Sequence, residues 1–134
     1  MISAVTTLEQ PVIELVHPMP GFPSDTTFAL RALDEDNTLL ALESTSSSGL
    51  RFLVMSPSPF FPDYTPTIPD DVVADLGLAS EDDVLGLLVV HAGASLAETT
   101  VNLRAPLVIN VVNGRAAQVV LDDADLAVAA PLLG

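Results

Sequence analysis

Two histidines and three short acidic runs are the residues whose chemistry could hold a metal ion. His17 and His91 lie far apart in the sequence, and neither belongs to the His-x-x-x-His spacing that places two imidazoles on one helical face. The run DEDN at 34–37 lacks the alternating acids, the glycine and the terminal glutamate of a calcium-binding loop. The same holds for the acids at 81–83 and 122–125. We therefore predict that these acids lie in solvated turns and that the chain has no metal site.

The residue types needed for covalent or phosphate chemistry are sparse. The chain contains no cysteine and no Gly-x-Ser-x-Gly turn, and its seven glycines are scattered. Paired carboxylates could still hydrolyse a glycoside, but most of the acids cluster in predicted turns instead of standing singly on strands. The sequence therefore predicts no catalytic residue, no cofactor and no enzymatic activity.

Two proline-rich segments carry most of the aromatic side chains, namely PSPFFPDY at 57–64 and HPMPGFP at 17–23. Stiff loops with aromatic side chains make good protein contacts, because little conformational entropy is lost on binding. The alternative is that Phe60 and Phe61 both fold inward and close one end of a sheet. We expect one of the two in the core and the other in a contact. The candidate partner-binding residues are Met19, Pro20, Phe22, Phe60, Phe61, Asp63 and Tyr64.

A formal net charge of -14 limits the partners that this chain can bind directly. Four arginines and no lysine cannot build the basic patch that a phosphate backbone requires, so we expect no direct contact with nucleic acid. The negative field favours a basic protein partner, because complementary charges speed and orient the encounter. The alternative is that the acids only keep a domain with 49% hydrophobic residues in solution.

The length of 134 residues fits one domain covering 1–134. The lack of cysteine excludes a disulfide framework and agrees with a reducing compartment. Residues 1–16 lack the basic region and long apolar run of an export signal. The most apolar run, 84–90, is far shorter than the roughly 20 residues of a membrane helix. We therefore expect a cytoplasmic location and no membrane contact.

The elements that must position these residues are mostly strands, because period-two alternation of apolar and polar residues dominates the chain. TTFALRAL at 26–33 and TTVNLR at 99–104 alternate, as half-buried strands do. Continuous apolar runs predict strands covered on both faces. These runs are 50–55, 84–90 and 107–112, and weaker strand candidates are 11–16 and 39–43.

The segment LVINVVNGRAAQVVL at 107–121 predicts a β-hairpin. Asn113-Gly114 fits a two-residue type I′ turn, in which both residues need positive φ. Such a turn places Val112 opposite Arg115 and Ile109 opposite Gln118, whereas a longer loop would shift the pairing and exchange the faces.

Helix is predicted only over 69–76, where proline and acids occupy the first turn and Gly77 follows the last. A further helical turn is predicted after Ser80, whose hydroxyl can accept from an amide near Asp83. The fold class is therefore mainly β with a short helical insert.

Four segments, in this order, resemble the flagellar assembly factor (FliW) family. Its members carry a P-G-F near the N-terminus, an F-x-P-x-Y proline corner, an N-L-x-A-P-x-V-I-N strand pair and a G-x-Q-x-x-L hairpin. The matching segments here are HPMPGFP (17–23), FFPDYTPTIPDDVVADLGL (60–78), VNLRAPLVIN (101–110), and Gln118 with Leu121. The match spans nearly the whole chain, and its strength comes from the order and spacing of the motifs.

The resemblance implies a small pseudobarrel of antiparallel or mixed strands with a short helix and no catalysis. It also implies that the chain binds cytoplasmic flagellin and, when flagellin is exported, binds the carbon storage regulator (CsrA), an RNA-binding translational repressor. Binding of CsrA relieves the repression of flagellin synthesis. The acidic character of the family is expected to help by repelling mRNA from the repressor.

Several residues of these motifs are expected to be structural. Asn102 and Asn110 are amides among apolar residues, and we expect them to fix a loop or bulge rather than to contact a partner. Pro106 cannot donate to a ladder and should mark the start of a strand. The full set of structural motif residues is Gly21, Asn102, Pro106, Asn110, Asn113, Gly114 and Gln118.

Two alternatives to a flagellar regulator stay open at this stage. One is an enzyme or small-ligand binder with a carboxylate pair in the mouth of the barrel, which requires a large pocket with facing acids. The other is a structural β module that associates with its own kind through exposed strand edges.

Overall fold

The fold is described from a computed structural model that covers residues 12–17, 25–35, 38–47, 49–57, 60–64, 66–123 and 125–132. The strands are β1 Val12–Leu15, β2 Thr27–Ala32, β3 Leu39–Ser44, β4 Arg51–Met55, β5 Val84–His91, β6 Thr100–Val101, β7 Leu107–Asn110, β8 Arg115–Gln118 and β9 Ala130–Pro131. Helix α1 is Asp70–Leu76, and 3₁₀ turns lie at Glu81–Asp83 and Leu96–Glu98. None of the helices in these ranges is long and apolar enough to cross a membrane.

Seven of the strands close into a mixed barrel, which confirms the predicted fold class. The strand order is β1–β2–β3–β4–β5–β7–β8, and β8 returns to β1. The pair β1–β8 is parallel and the other barrel pairs are antiparallel. The long strand β5 also pairs with the short β6, which in turn pairs with β9 outside the barrel.

The barrel interior is filled by apolar side chains from all seven strands. Alternate residues of each strand point to the same face, so one set faces inward. The largest of these, Phe28, Leu42, Leu87 and Leu107, are fully buried. Phe28 and Phe52 meet with ring centroids 6.0 Å apart in a tilted arrangement that aromatic pairs favour. The barrel interior is therefore an apolar core rather than a cavity for a ligand.

Two further apolar clusters cover parts of the outer surface. Helix α1 places Leu76 against Val108 of β7 and Ala117 of β8. On the other side of β5, Leu88 belongs to a cluster with Met55 of β4, together with Val101 and Ala130. The helix and this second cluster therefore flank the outer face of β5.

The predicted strands are all present, although their lengths differ from the pattern. In 107–112 the strand ends at Asn110, and all four residues of β7 are buried, as expected of a strand covered on both faces. In 99–104 only β6 is extended, because the Asn102 side chain accepts hydrogen bonds from the amides of Arg104 and Ala105 and bends the chain.

Strands β7 and β8 form the predicted hairpin, but the predicted two-residue turn is wrong. The connection is 111–114, and the amide of Gly114, at φ 78°, donates to the carbonyl of Asn110 at 2.8 Å. The predicted pairs, Val112 with Arg115 and Ile109 with Gln118, are replaced by Ile109 with Ala116 and Leu107 with Gln118. The register thus shifts by two residues, so the faces are not exchanged. The cause is that Asn110 and Asn113 bind the end of α1, as described below.

Helix α1 begins and ends where the sequence predicts. Pro69 precedes it in an extended conformation, and Gly77 follows it in the left-handed region at φ 68°. The amide of Gly77 donates to the carbonyl of Ala74, and the amide of Leu78 donates to that of Val73, the two bonds of a Schellman motif. After the helix, the hydroxyl of Ser80 accepts from the amide of Asp82, which starts the predicted further turn.

Candidate partner-binding surface

Apart from His17, the first of the two predicted contact segments lies outside the described residues. Met19, Pro20, Gly21 and Phe22 lie outside the described residues. The assignment of Met19, Pro20 and Phe22 to a partner surface, and that of Gly21 to the structural motif residues, stays a prediction.

The second segment forms a tight corner after β4. The carbonyl of Pro57 accepts from the amides of Phe60 and Phe61, at 3.1 and 2.7 Å, and the carbonyl of Phe61 accepts from the amide of Tyr64. Phe61 and Tyr64 pack against the outer cluster around Leu88. Phe60 is 41% exposed. One of the two adjacent phenylalanines therefore anchors the corner, and the other is presented to solvent.

Tyr64 is the polar anchor of this corner. Its hydroxyl donates to the backbone carbonyl of Leu103. Burial of the ring raises the pKa of the phenol to about 12, since the charged phenolate is disfavoured where water is excluded. The corner is thus attached to the 102–106 turn by both packing and a hydrogen bond.

An open groove of about 780 Å³ lies between the corner and helix α1, and we call it the apolar groove. Its floor is the outer face of β5 and β7, and its walls come from Tyr64, the 66–68 segment, the helix and the 78–80 turn. The lining residues are Pro57, Tyr64, Pro66, Thr67, Ile68, Val73, Leu78, Ala79, Ser80, Val84, Gly86, Pro106 and Val108. None of the lining residues among those that the structure describes is charged, so apolar contacts dominate what this part of the groove can offer to a ligand.

A second groove of about 530 Å³, the acidic groove, lies on the other side of the same segment. It is lined by Asp63, Tyr64, Pro66, Thr67, Pro69, Leu121, Asp122, Asp123 and Leu126. Three of these side chains are exposed carboxylates, and none of the lining residues is basic. The predicted contact residues Asp63 and Tyr64 are thereby brought beside the acids at 122–123, whereas Phe60 and Phe61 line neither groove.

Of the described arginines, Arg31 and Arg115 have partners that line neither groove, whereas Arg104 is bonded to Leu126 of the acidic groove. Arg31 forms an ion pair with Glu43 at 2.9 Å on neighbouring strands. This hydrogen-bonded contact lowers the pKa of the Glu43 carboxyl and raises that of the Arg31 guanidinium. Arg115 donates to the carbonyl of Asp75, and Arg104 donates to that of Leu126. The exposed carboxylates around the grooves therefore set the sign of the local field.

Asn110 and Asn113 attach the β7–β8 hairpin to the end of α1. The amide nitrogen of Asn110 donates to the carbonyls of Leu76 and Gly77, at 2.8 and 3.3 Å, and its oxygen accepts from the amide of Val112. Asn113 donates to the carbonyl of Leu76 as well, at 3.1 Å. Carbonyls at the end of a helix have no partner within it, so these side chains satisfy them.

The other motif residues lie around the turn before β7. Pro106 is buried and immediately precedes Leu107, the first residue of β7. Gln118 donates to the carbonyl of Ala105 at 3.2 Å, which holds the turn against β8. Together with the Asn102 turn, these contacts fix the chain beside the floor of the apolar groove.

No pair of facing carboxylates lines the interior over the ranges that the structure describes. The buried polar or charged residues in these ranges are Asp25, Thr99 and Asn110. Hydrogen bonds from Ser47 and Ser44, and more weakly from Ser46, lower the pKa of the Asp25 carboxyl, although burial opposes them. The same ranges contain no group of three or more His, Cys, Asp or Glu that could hold a metal ion. The observed arrangement is suited to binding at the outer surface rather than to chemistry inside the barrel.

Sequence reasoning did not single out Gly86 or the helix-side wall of the apolar groove. The wall residues Ile68, Val73 and Leu78 are half-buried and belong to a pattern that predicts only core packing. A signal for the floor was present in VLGLLVV, because glycine weakens a strand and often marks a close approach.

Comparison with known proteins identifies the family. The family model described as FliW protein matches residues 1–132. A flagellar assembly factor FliW from Bacillus pumilus (strain SAFR-032) is 34% identical over 115 residues, covering 86% of this chain and 80% of that protein. The flagellar assembly factor FliW of Bacillus subtilis (strain 168) is 31% identical over 126 residues, covering 94% and 88%. A crystal structure of the flagellar assembly factor FliW superposes with a TM-score of 0.85 at 26% identity, covering 92% of this chain and 86% of that one. The chain belongs to the FliW family, whose members are flagellar assembly factors rather than enzymes.

Proposed function

We propose that this protein acts in the cytoplasm as a switch between two protein partners. In this proposal it binds flagellin and, once flagellin has been exported, binds the carbon storage regulator (CsrA) and relieves translational repression of flagellin mRNA. Membership of the FliW family supports a role in flagellar assembly. The observation that carries the choice of partners is the net charge of -14 on a small domain.

The charge suits an antagonist of an RNA-binding protein. A repressor that holds mRNA must present a basic surface, which the negative field of this chain attracts. Once bound, the same field repels the phosphates of mRNA without occupying their site. Such coupling acts in both directions, so mRNA should weaken binding of this protein to CsrA by the same factor.

The proposed contact surface comprises the proline corner and the two grooves. Phe60 is the exposed aromatic side chain of the corner, and Asp63 lies beside it in the acidic groove. Phe61 and Tyr64 support the corner from below. The proposed surface also includes Met19, Pro20 and Phe22, because they belong to the HPMPGFP motif at 17–23.

A calorimetric titration of the purified protein against flagellin, and separately against CsrA from the same organism, tests the proposal. We expect binding to both partners, and weaker binding of CsrA as salt shortens the screening length below about 10 Å. Phe60→Ala should weaken at least one complex, whereas the matched control Leu33→Ala, another partly exposed apolar residue outside both grooves, should not. Binding to neither partner would contradict the proposal. Sedimentation as a large self-assembly would instead favour a structural module.

A further inference from the structure

Gly86 lies in the middle of β5, where neither its own backbone nor its neighbours in the fold require glycine. The positive-φ glycines in the described ranges are Gly49, Gly77 and Gly114, and Gly86 is not among them. A Cβ built on Gly86 meets no atom within 4 Å. Glycine inside a strand weakens it, because the chain loses more conformational freedom on folding and no side chain packs. Its presence here therefore has an explanation other than local folding.

The position of Gly86 in the fold explains why glycine occurs there. Residues 85 and 87 of β5 face the barrel interior, so Gly86 faces outward, opposite Val108 of β7. Along the same face, Val84 packs in the helix-side cluster and Leu88 packs in the corner-side cluster. Gly86 occupies the gap between the two clusters, and it lines the apolar groove. Any side chain at this position would project into the groove.

The groove lining is accessible and mostly apolar, and its polar side-chain groups are the hydroxyls of Tyr64, Thr67 and Ser80. Ile68, Val73 and Leu78 of the helix side are half-buried rather than buried, so part of each apolar side chain contacts solvent. The Tyr64 hydroxyl on the opposite wall is already bonded to Leu103. An apolar side chain is the ligand group that such a lining stabilises.

The charged residues next to the groove lining indicate which side chains a bound segment would carry beside its apolar group. Asp63, which lines the adjoining acidic groove, directly precedes Tyr64 of the lining, and Asp82 and Asp83 lie between the lining residues Ser80 and Val84 in the sequence. Asp70 and Asp71 are exposed in the first turn of α1. No arginine lines the groove, and the chain contains no lysine. A partner with acidic residues beside its apolar anchor would be repelled, and one with basic residues would be attracted.

We propose that the apolar groove over Gly86 receives a segment of a partner protein that inserts one or two apolar side chains and carries lysine or arginine beside them. This inference rests on the proposed function, since it assigns to one of the two partners the place where it docks. The glycine at position 86 leaves the floor of the groove open.

Gly86→Val and Gly86→Leu test the groove, because both place a side chain over its floor and the Cβ position of residue 86 is open. The matched control is Ala32→Val, which adds the same kind of side chain at an exposed strand position away from the groove. Circular dichroism melts should show Gly86→Val to be at least as stable as the wild type, since a β-branched residue suits a strand. Calorimetric titration with purified flagellin and purified CsrA should show roughly tenfold or greater loss of affinity for one partner in both Gly86 variants, a loss that is readily resolved. Ala32→Val should bind both partners as the wild type does.

The rim is tested with the double variant Asp63→Asn and Asp82→Asn, paired with Glu35→Gln on the β2–β3 turn as the control. The double variant should bind the same partner several-fold more weakly at low salt and lose much of the salt dependence, while Glu35→Gln changes neither. Unchanged binding by the double variant would overturn the basic character of the docked segment.

The remaining outcomes separate the two proposals. If the wild type binds neither partner, the proposed function and the groove assignment fall together. If the wild type binds and the Gly86 variants bind equally well, only the groove assignment is overturned. Equal loss in Ala32→Val would also overturn it. A wild-type dimer that Gly86→Val converts to a monomer in sedimentation would show that the occupant is a second copy of this chain.

Discussion

Asn110 links the β7–β8 hairpin to the end of α1. Among the polar side chains, we expect its replacement to cause the largest loss of stability. Asn110 is 1% exposed and makes three hydrogen bonds. Asn110→Leu keeps the branched four-atom shape of the side chain and leaves no cavity, so the loss comes from the hydrogen bonds and from fitting two bulkier methyl groups. The variant therefore removes the polar attachment of helix to barrel.

The expected loss in the free energy of unfolding depends on which backbone groups still have a hydrogen-bond partner in Asn110→Leu. A neutral hydrogen bond contributes about 0.5–1.5 kcal/mol net, and an unsatisfied buried group costs about 1–3 kcal/mol. The Leu76 carbonyl retains Asn113 as a donor, and the amide of Val112 belongs to an exposed loop residue that water can reach. We therefore expect Asn110→Leu to lower the free energy of unfolding by about 2–3 kcal/mol, or about 10 °C in melting temperature for a domain of this size.

Urea unfolding monitored by circular dichroism measures the loss, with Asn113→Ala as the matched control. Asn113 shares the Leu76 carbonyl but is exposed, so its replacement should cost less than about 1 kcal/mol. Amide exchange at Leu78 and Val112 should rise in Asn110→Leu before that of the barrel strands. A loss no larger than that of Asn113→Ala would refute the argument that the buried amide holds helix and hairpin together.

A second variant, Asn110→Asp, tests the direction of the bonds. Its carboxylate would face the carbonyl oxygens of Leu76 and Gly77, so the folded state would raise the carboxyl pKa above its unfolded value. The penalty relative to the wild type should therefore be smallest in acid, where the protonated group can donate, and grow as pH rises through the raised pKa. A penalty that is the same at about pH 4 and about pH 8 would show that donation to the helix carbonyls is unimportant.

Two titrations provide further predictions. Tyr64 is the only tyrosine in the chain, so absorbance near 295 nm should report a midpoint near its raised pKa of about 12, falling to about 10 in urea. Because the folded pKa is the higher one, stability should be lost as pH rises from about 10 towards 12, and a folded-state midpoint near 10 would contradict burial of the ring. Asp25 has a lowered pKa, so its contribution should be present above its ordinary value of 3.8 and fade as pH falls below it. Asp25→Asn should lack that acid-dependent step in urea midpoints measured against the wild type, and identical pH profiles would show that the serine hydrogen bonds add no stability.

Strands that bury one face were predictable because this imposes period-two alternation on their sequence, and strands covered on both faces, such as β7, because they are continuously apolar. In 27–32, for example, Phe28 and Leu30 are buried while the residues between them are partly exposed. The closure of the barrel was not predictable from periodicity. It depends on the parallel pairing of Glu14 with Arg115 and of Leu15 with Ala116, and nothing local to either strand specifies a partner a hundred residues away.

The hairpin shows local preference overridden by tertiary contact. Asn113-Gly114 favours a two-residue turn, and an isolated hairpin of this sequence has no reason to avoid it. In the folded chain the same asparagine, with Asn110, donates to the carbonyl of Leu76 in α1, and the four-residue connection 111–114 is the one observed with both side chains so placed. Reading the turn correctly would have required knowing that the helix ends beside it.

The candidate surface was harder to predict than the fold, because its parts have ordinary local explanations. Phe60 and Phe61 are adjacent and chemically identical, and only the docking of the corner on the Leu88 cluster makes one an anchor and the other exposed. In the sequence, Gly86 is only a residue that weakens a strand. In the fold, α1 and the proline corner pack on either side of it, and Gly86 lies at the floor of the groove between them. A residue that lowers the stability of its own strand and relieves no crowding in the fold is best explained by contact with something outside the chain. For that reason a substitution that strengthens β5 should be the one that weakens its binding.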